Sequence, residues 1–138
     1  MERYDDATCE LAGCALETPG VVSAAIFMQP RTSAGLELAG AAGIEGEPLR
    51  LLAAAVADPN HPVARTFRDA SAAFDVEPTA PGGPALRSHV PIFRLLDGRS
   101  VCVGVLAVAH EKPLSGPARE ALHEVAARAG RLLAMGAV

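Results

Sequence analysis

The chain has 138 residues, a net charge of −4 and a hydrophobic share of 50%. This length suits one domain with a buried core, and the hydrophobic share excludes an intrinsically disordered regulator. A nucleic-acid-binding protein would need a basic patch, which a sequence with Lys112 as its single lysine does not offer. The longest apolar run, residues 101–109, is too short for a membrane helix, and the acidic N-terminus does not resemble a signal peptide. The sequence therefore predicts one cytoplasmic domain over residues 1–138.

The first part of the chain is predicted to form a helix followed by a hairpin. Apolar residues at helical spacing predict the helix over residues 5–17, with acidic residues in its first turn. Residues 21–29 are apolar on both faces, which is typical of a strand at the centre of a sheet. A turn over residues 30–35 joins this strand to a second one over residues 36–41.

A crossover with two short helices follows the hairpin. The first helix is predicted from the apolar spacing of Leu49, Leu52, Ala53 and Val56. Pro62 begins the second helix. Its buried side is predicted to consist of Val63, Phe67 and Ala70. A short edge strand over residues 74–76 and a proline- and glycine-rich loop over residues 78–84 complete this part.

The last part is predicted to contain two long strands and a helix. The strands cover residues 87–95 and 99–109, and Asp97-Gly98 between them is a strong signal for a hairpin turn. The second of these strands is apolar on both faces and is expected at the centre of the sheet. Ser115 is predicted to cap a final helix that runs to about Met135. The buried stripe of this helix is predicted to contain Ala118, Leu122, Val125, Ala126, Ala129, Leu132 and Leu133.

Several motifs of the chain occur in an order that is typical of one protein family. In the C-terminal half these motifs are Ser88-His89-Val90-Pro91-Ile92, Asp97-Gly98 and Val103-Gly104-Val105-Leu106-Ala107-Val108. Upstream, residues 61–67 resemble the segment that leads into the family's middle helix and edge strand. The family's first two strands are matched by Ala25-Ile26-Phe27 and Leu36-Glu37-Leu38-Ala39. This ordered set resembles the GAF domain family over essentially the whole chain. The resemblance depends on the order of the motifs, since each motif alone occurs in many proteins.

The resemblance implies an α+β domain of GAF-like, PAS-related architecture. A central antiparallel sheet of five to six strands would carry the N- and C-terminal helices on one face. The helical crossover would cover a pocket on the other face. Members of the family bind cyclic nucleotides, tetrapyrroles, haem, amino acids and other small molecules, or nothing. The resemblance therefore leaves the ligand and any cofactor unknown.

Two subtypes of the family are not matched by the residues of this chain. Cyclic-nucleotide-binding members carry an Asn-Lys…Phe…Asp-Glu motif, whereas Asn60 is followed here by His61 and Asp69 by Ala70. Free-methionine sulfoxide reductases also resemble GAF domains and use cysteines from the loop that covers the pocket. Residues 49–90 contain no cysteine. The sequence therefore predicts that the chain is not an enzyme.

Histidines and a cysteine are the remaining candidates for chemistry. His61 in the crossover and His89 on a strand are expected near the pocket, whereas His110 and His123 are expected to be exposed. No pair of histidines has the spacing of a zinc site, so no metal site is predicted. Cys102 is expected to act as a small buried hydrophobic residue, whose replacement by alanine would lower stability by about 1 kcal/mol.

The expected pocket is defined by shape more than by a motif. The crossover passes over an apolar sheet face, which is a usual place for a small-ligand pocket. Its candidate lining residues are Phe27, Phe67, Phe74, His89 and Phe93, with Arg87 or Arg94 for an anionic ligand. The four phenylalanines could equally belong to the core.

The first functional hypothesis is a small-molecule-binding sensory or regulatory GAF domain in signal transduction, either alone or joined to a larger sensor or transcription regulator. One alternative is a structural homodimerisation module without a ligand, and another is an enzyme like the free-methionine sulfoxide reductases. A homodimer through the first and last helices is expected, because Ala126, Ala129 and Gly130 would let another helix approach closely. The first helix of the same chain could equally cover this stripe.

Overall fold

The computed structural model describes residues 6–30, 35–77 and 86–136, with side chains as far as residue 132. In chain order the elements are α1 (Asp6–Leu16), β1 (Val21–Met28), β2 (Glu37–Ala42), α2 (Gly46–Ala55), α3 (Pro62–Asp69), β3 (Ala73–Val76), β4 (Leu86–Leu96), β5 (Arg99–His110) and α4 (Gly116–Gly136). All predicted helices and strands are present, with ends that differ by a few residues. The predicted loop over residues 78–84 and most of the predicted turn over residues 30–35 lie outside the described residues.

The strands form one five-stranded antiparallel sheet in the order β2-β1-β5-β4-β3. The two strands that are apolar on both faces, β1 and β5, lie inside the sheet, as the sequence predicts, and β3 lies at an edge. The turn between β4 and β5 has both central residues in the left-handed region, with φ of 51° at Asp97 and 78° at Gly98. This is the turn geometry that matches the twist of two paired strands, and it fixes the register of the longest hairpin.

Helices cover both faces of the sheet, in the layers that the family resemblance implies. On one face α1 and α4 pack on the sheet and on each other, around fully buried residues such as Leu11, Ile26 and Leu122. On the other face α2 and α3 cover a smaller cluster that includes Phe27 and Val63. The architecture is therefore α+β and GAF-like, with the terminal helices on one face and the crossover on the other.

The helix ends follow the capping residues of the sequence. The hydroxyl of Ser115 accepts a hydrogen bond of 3.2 Å from the amide of Ala118, so Ser115 caps α4 as predicted. Pro62 occupies the first turn of α3, where a missing N–H does no harm. His61 caps the same helix with its side chain, which positions one imidazole at the start of the crossover helix.

Two predicted burial patterns are wrong at their last residues. Ala70 does not belong to the buried side of α3, because the helix ends at Asp69 and Ala70 takes a left-handed conformation at the surface. Thr66, one turn after Val63, is buried in its place. On α4 the buried stripe ends before Leu132, whose side chain is 49% exposed, and the side chain of Leu133 lies outside the described part of the chain.

Gly130 on α4 has a role inside the domain. A Cβ atom at this position would overlap the backbone carbonyl oxygen of Phe93 on β4. The glycine therefore lets α4 approach its own sheet, which compensates for the low helix propensity of glycine. Ala126 and Ala129 are buried on the same side of the helix. The small residues that suggested a partner helix in the sequence are thus already covered by the sheet.

Candidate ligand-binding cavity

A cavity of about 520 Å³ lies between the sheet and the crossover, in the position expected from the sequence. We call it the sheet cavity. Strands β1, β4 and β5 form its floor, and α2 with the first turn of α3 forms its roof. Its described lining consists of Ser23, Ala24, Ala25, Ile44, Pro48, Leu51, Leu52, Ala55, His61, Pro62, Val63, Val76, Glu77, Arg87, His89, Ala107, Val108 and Ala109.

The floor of the sheet cavity is hollow because its side chains are small. Ala25, Ala107 and Ala109 stand on neighbouring strands, where larger residues would fill the space. The adjoining part of the same face is solid, since Phe27 is fully buried there and Phe67 of α3 packs against the same cluster. The α2–α3 face is therefore divided into a packed half and an open half.

His89 is the most deeply buried polar side chain of the sheet cavity. It lies on β4 between Ala73 of β3 and Ala107 of β5, and only 2% of the residue is exposed. Its Nδ1 atom has no hydrogen-bond partner among the described residues. Burial, with smaller contributions from His61 and Arg87, lowers the pKa of His89 to about 4. The ring is therefore neutral near pH 7, and it retains a polar atom that the protein itself does not satisfy.

His61 faces the sheet cavity from the opposite side, at the start of α3. Its Nδ1 atom accepts a hydrogen bond of 3.1 Å from the amide of Val63, so the neutral ring carries its proton on Nε2. Burial lowers the pKa of His61, the nearby carboxylate of Asp58 opposes this, and Arg87 adds to it. In its neutral form His61 is thus a fixed hydrogen-bond donor.

Arg87 supplies a positive charge to the sheet cavity. It lies two residues before His89 on β4, so the two side chains share one face of the strand. Burial is the main cause that lowers the pKa of Arg87, and Glu111 opposes it. The sequence left Arg87 and Arg94 as alternatives for an anionic ligand, and Arg87 is the one that lines this cavity.

The structure does not bring all predicted pocket residues together. His89 lines the sheet cavity, whereas Phe27 and Phe67 belong to the packed half of the same face. Phe74 packs against the opposite cluster, under α4. Phe93 and Arg94 line a different groove beside α4. Of the predicted lining residues, His89 is placed correctly. The expectation is wrong for the other five, the four phenylalanines and Arg94, because core packing and two strand irregularities direct them elsewhere.

Phe74 is redirected by the backbone of its neighbour. Asp75 has a φ of 58°, and the register of β3 on β4 shifts between Ala73 and Val76. In a regular strand Phe74 and Val76 would lie on one face, but across this irregularity Val76 lines the sheet cavity and Phe74 contacts the side of α4. Arg119 of α4 lies 4.7 Å above the ring of Phe74 in a cation–π contact.

Phe93 is redirected by a second irregularity. The register of β4 on β5 shifts between Ile92 and Phe93, so Phe93 pairs with Cys102. This moves Phe93 away from the face of His89 and towards α4. Phe93 then lies in a groove of about 760 Å³, which we call the α4 groove. Its described lining consists of Ala70, Ser71, Ala72, Pro91, Phe93, Arg94, Leu95, Ser100, His123, Ala126, Ala127, Gly130 and Arg131.

The α4 groove is the larger of the two spaces but the weaker candidate site. Of its two arginines, Arg131 is exposed and Arg94 is half-buried. A binding site for a small molecule is usually an apolar recess into which a few polar groups converge. The sheet cavity fits this description, since most of its lining is apolar and His61, Arg87 and His89 converge in it. We therefore take the sheet cavity as the candidate site.

A series of hydrogen bonds beneath α4 joins Asp75, Ser88 and His110, which the sequence analysis did not connect. The amide of Asp75 donates to Oγ of Ser88 at 3.0 Å, and Oγ of Ser88 lies 2.8 Å from Nε2 of His110. Nδ1 of His110 lies 2.7 Å from the carbonyl oxygen of Lys112. Since a carbonyl only accepts, Nδ1 carries a proton and the neutral ring accepts the Ser88 hydroxyl at Nε2. The Ser88 hydroxyl and both ring nitrogens of His110 therefore all have hydrogen-bond partners.

These hydrogen bonds explain why the prediction for His110 is wrong. The residue was expected to be exposed, but it ends β5 and is fully buried, because the hydroxyl of Ser88 and a backbone carbonyl provide its partners. A serine, a histidine and an aspartate at this distance invite comparison with a nucleophilic triad. In such a triad the serine and the aspartate contact different ring nitrogens of the histidine. Here Ser88 and Asp75 both approach Nε2 of His110, Asp75 at 3.9 Å, and Ser88 is fully buried. The arrangement is therefore structural.

Asp75 ties the edge strand to the last helix. Its Oδ1 accepts a hydrogen bond of 3.0 Å from the amide of Leu114, and its Oδ2 accepts one of 2.6 Å from Arg119. Burial would raise the pKa of Asp75, but these two partners outweigh it and hold the pKa below its ordinary value. The carboxylate is therefore ionised near neutral pH and anchors β3 to α4.

The cysteines do not lie at the candidate site. None of Cys9, Cys14 and Cys102 lines the described part of the sheet cavity, and all three are free thiols. Cys102 is half-buried, less deeply than expected, because it lies in the outer part of β5. Burial raises the pKa of its thiol, which favours the protonated form over the reactive thiolate. No group of three or more metal-ligating side chains occurs among the described residues.

Comparison with solved structures identifies the fold. No protein-family model and no curated protein matches the sequence. The GAF domain region of a putative membrane protein from Geobacter sulfurreducens matches with a TM-score of 0.71 and 16% identity, over 94% of this chain and 91% of that one. The second GAF domain of DevS from Mycobacterium smegmatis matches with a TM-score of 0.68 and 16% identity, over 94% and 91%.

An enzyme is among the similar structures as well. The type II free methionine-R-sulfoxide reductase from Thermoplasma acidophilum matches with a TM-score of 0.67 and 12% identity, over 96% of this chain and 90% of that one. The chain therefore has a GAF-like fold, as the motifs predict, and this fold is shared by domains with different activities. Within the described ranges, no helix combines the length and the hydropathy needed to cross a membrane.

Proposed function

We propose that the chain is a small-molecule-binding regulatory domain whose ligand occupies the sheet cavity. One observation carries the proposal, the unpartnered Nδ1 of a histidine that is 2% exposed, at the floor of an apolar cavity of about 520 Å³. A buried polar atom without a partner destabilises a fold unless something satisfies it, and a bound ligand is one such partner.

The regulatory part of the proposal is supported by the kind of protein that shares the fold. Two of the similar structures described above are GAF domains, one of them the second such domain of its protein. A domain with this arrangement is suited to reporting ligand binding to an attached or associated partner. In this protein the sheet cavity and the hydrogen bonds that join Asp75, Ser88 and His110 lie on opposite faces of β4, since His89 and Ser88 are neighbours on that strand.

We further propose that the domain is not an enzyme. The competing hypothesis is a free-methionine sulfoxide reductase, which the similar structure from Thermoplasma acidophilum brings into consideration. That chemistry depends on cysteines at the pocket, and none of the three cysteines of this chain belongs to the described lining of the sheet cavity. An assay with free methionine sulfoxide and a thiol reductant tests this directly. Turnover that Cys102→Ala abolishes would contradict the proposal.

Ligand binding is tested by filling the sheet cavity. The variant Ala109→Leu places three additional carbon atoms into the floor beside Arg87, where Ala109 is 5% exposed. Ala127→Leu is a matched control, since it adds the same atoms to the α4 groove. Native mass spectrometry of protein purified from cells, followed by a thermal-shift screen of metabolites, measures binding to each form.

We expect a ligand of the unmodified protein to be lost from Ala109→Leu and retained by Ala127→Leu. A ligand at one hundred times its Kd stabilises the folded state by about 2.7 kcal/mol, which is a clear thermal shift for a domain of this size. Binding that survives Ala109→Leu but not Ala127→Leu would move the site to the α4 groove and overturn the proposal.

A further inference from the structure

The sheet cavity has a chemical polarity that narrows its ligand. We propose that the ligand is an apolar carboxylic acid, bound as the anion with its carboxylate beside Arg87, His61 and His89 and its hydrocarbon part against α2. The inference rests on the proposed function, because it concerns the same cavity. It names the class of ligand that the charges and the walls of that cavity favour.

Basic groups are concentrated in the sheet cavity. Arg87, His61 and His89 all line the sheet cavity, and each pair formed with Arg87 or between the two histidines is close enough to lower the pKa of a histidine. Glu77 is the one acidic residue in the described lining. An anion placed among them is attracted by the guanidinium of Arg87, and it favours the protonated form of either histidine beside it.

The remaining wall of the sheet cavity is apolar. Ile44, Pro48, Leu51 and Leu52 line the side of the crossover, and alanines line the floor. Leu51 is 62% exposed, so a ligand that covers it also removes apolar surface from water. A multiply charged ligand would be poorly matched to these walls. An inorganic anion would leave most of a cavity of about 520 Å³ unfilled.

Binding of an anion should change the protonation of His61 and His89. Burial disfavours the charged forms of His89 and His61, and an anion beside them favours those forms. Binding of a carboxylate should therefore be accompanied by proton uptake, and its affinity should rise as the pH falls below the ordinary histidine pKa. The charges that surround these rings act in both directions. Asp58 and Glu77 are acidic, Glu111 lies near Arg87, and His110 is close enough on β5 to lower the pKa of His89.

The test compares each acid with its own neutral amide. Isothermal titration calorimetry is suitable because the sequence has no tryptophan to report binding by fluorescence. The probes are straight-chain carboxylates from butanoate to octanoate and the matched primary amides, measured near pH 7.5 and near pH 6 in buffers of different ionisation enthalpy. We expect the best carboxylate to bind at least about tenfold more tightly than its amide. Its affinity should increase at the lower pH, with net proton uptake.

Two arginines on the same strand provide the matched variants. Near pH 7.5, where both histidines of the free protein are neutral, Arg87→Gln should reduce the preference for the carboxylate to within about threefold, because the amide and the acid then meet similar groups. Arg94→Gln should leave the preference unchanged, since Arg94 lines the α4 groove. If Arg87→Gln does not fold, Arg87→Lys replaces it. Lysine keeps the charge without the two-pronged contact of arginine and should weaken the preference in part.

The outcomes separate this inference from the function on which it rests. Amides that bind as tightly as the acids, a preference that Arg87→Gln leaves intact, or an affinity that falls at lower pH would each overturn the inference. If those probes bind and Ala109→Leu abolishes their binding, the regulatory cavity stands while its preference for anions does not. If no probe of either series binds, the ligand is not an apolar acid, and the co-purified ligand then decides the proposed function by itself.

Discussion

The two faces of the sheet are built from similar elements but are packed differently. On the α1–α4 face, sixteen buried residues of the described chain form one continuous cluster, and on the α2–α3 face six do so. The first face has a close approach at Gly130 and a satisfied polar chain at Ser88 and His110. The second face contains the sheet cavity, with the unpartnered Nδ1 of His89 at its floor. Unpartnered side-chain atoms also occur on the first face, at Thr8 and Arg119, so the cavity is what distinguishes the second face. This comparison assigns most of the packing energy to one face and leaves the other free to bind.

The largest expected effect comes from removing a side chain of the packed face. Leu122 on α4 is fully buried in the main cluster, so Leu122→Ala should lower the free energy of unfolding by about 2–5 kcal/mol. The same substitution on the other face is Leu51→Ala. Because Leu51 is 62% exposed, its replacement should lower the free energy of unfolding by less than about 0.5 kcal/mol. Urea denaturation midpoints measure both. Equal losses would mean that the two faces contribute equally.

The next effect uses acid to probe the hollow face. The pKa of His89 is lowered to about 4, against 6.5 for the unperturbed residue. As the pH falls through this interval, the unfolded chain binds a proton before the folded chain does. Above about pH 6.5 the free energy of unfolding should not be reduced by the titration of His89. It should fall by up to about 3 kcal/mol as the pH approaches 4, and His89 should cause no further loss below that.

A variant isolates the contribution of His89 from that of other groups. His89→Leu should flatten the decline between pH 6.5 and pH 4, whereas His123→Gln, a change at an exposed residue of α4, should leave it in place. The measurement is the unfolding free energy at several pH values for the three proteins. A decline of the same size in His89→Leu would assign it to groups elsewhere, including those of the packed face.

A smaller effect tests the close contact between α4 and the sheet. Gly130→Ala raises helix propensity, yet its Cβ would overlap the carbonyl oxygen of Phe93, so we expect a net loss of about 1–3 kcal/mol. Gly13 on α1 is the matched control, because a Cβ there meets no atom within 4 Å. Gly13→Ala should raise stability by roughly 0.5–1 kcal/mol. Stabilisation by both changes would show that α4 is free to shift on the sheet.

The sequence predicts the regular parts of this fold well because their signals are local. Strands β1 and β5 are apolar on both faces, and that property is sufficient to place them inside the sheet. The Asp97-Gly98 turn specifies a hairpin whatever surrounds it. The motif order adds the arrangement of the layers, which none of these signals contains individually.

The candidate site was predicted less well because it depends on irregularities and on distant contacts. Alternation along β3 and β4 assigns Phe74 and Phe93 to the cavity face, and the register shifts next to them reverse that assignment. His110 ends an apolar strand, so its burial becomes clear only when Ser88 is seen beside it. His89, which the sequence analysis expected near the pocket, lies in a regular stretch of β4 and does line the sheet cavity.

The smallest expected change in stability, and the last test of the comparison, concerns the outer side of α4. A homodimer through the terminal helices remains a prediction, and the buried stripe cannot mediate it, because Ala126, Ala129 and Gly130 already face the sheet. Among the described side chains of α4, which end at residue 132, Leu132 is a large apolar one that is 49% exposed and thus available to a partner. Leu132→Glu should therefore change the unfolding free energy of the monomer by less than about 0.5 kcal/mol.

Sedimentation at micromolar concentration separates the outcomes for this variant. If the outer side of α4 mediates a dimer, the unmodified protein should sediment as a dimer and Leu132→Glu as a folded monomer, because a charge in an apolar contact is strongly unfavourable. A monomer of 14.1 kDa for both proteins would contradict the dimer. An unmodified monomer together with a marked loss of stability in Leu132→Glu would extend the packed face to Leu132. The boundary between the two faces would then lie further along the helix than its exposure indicates.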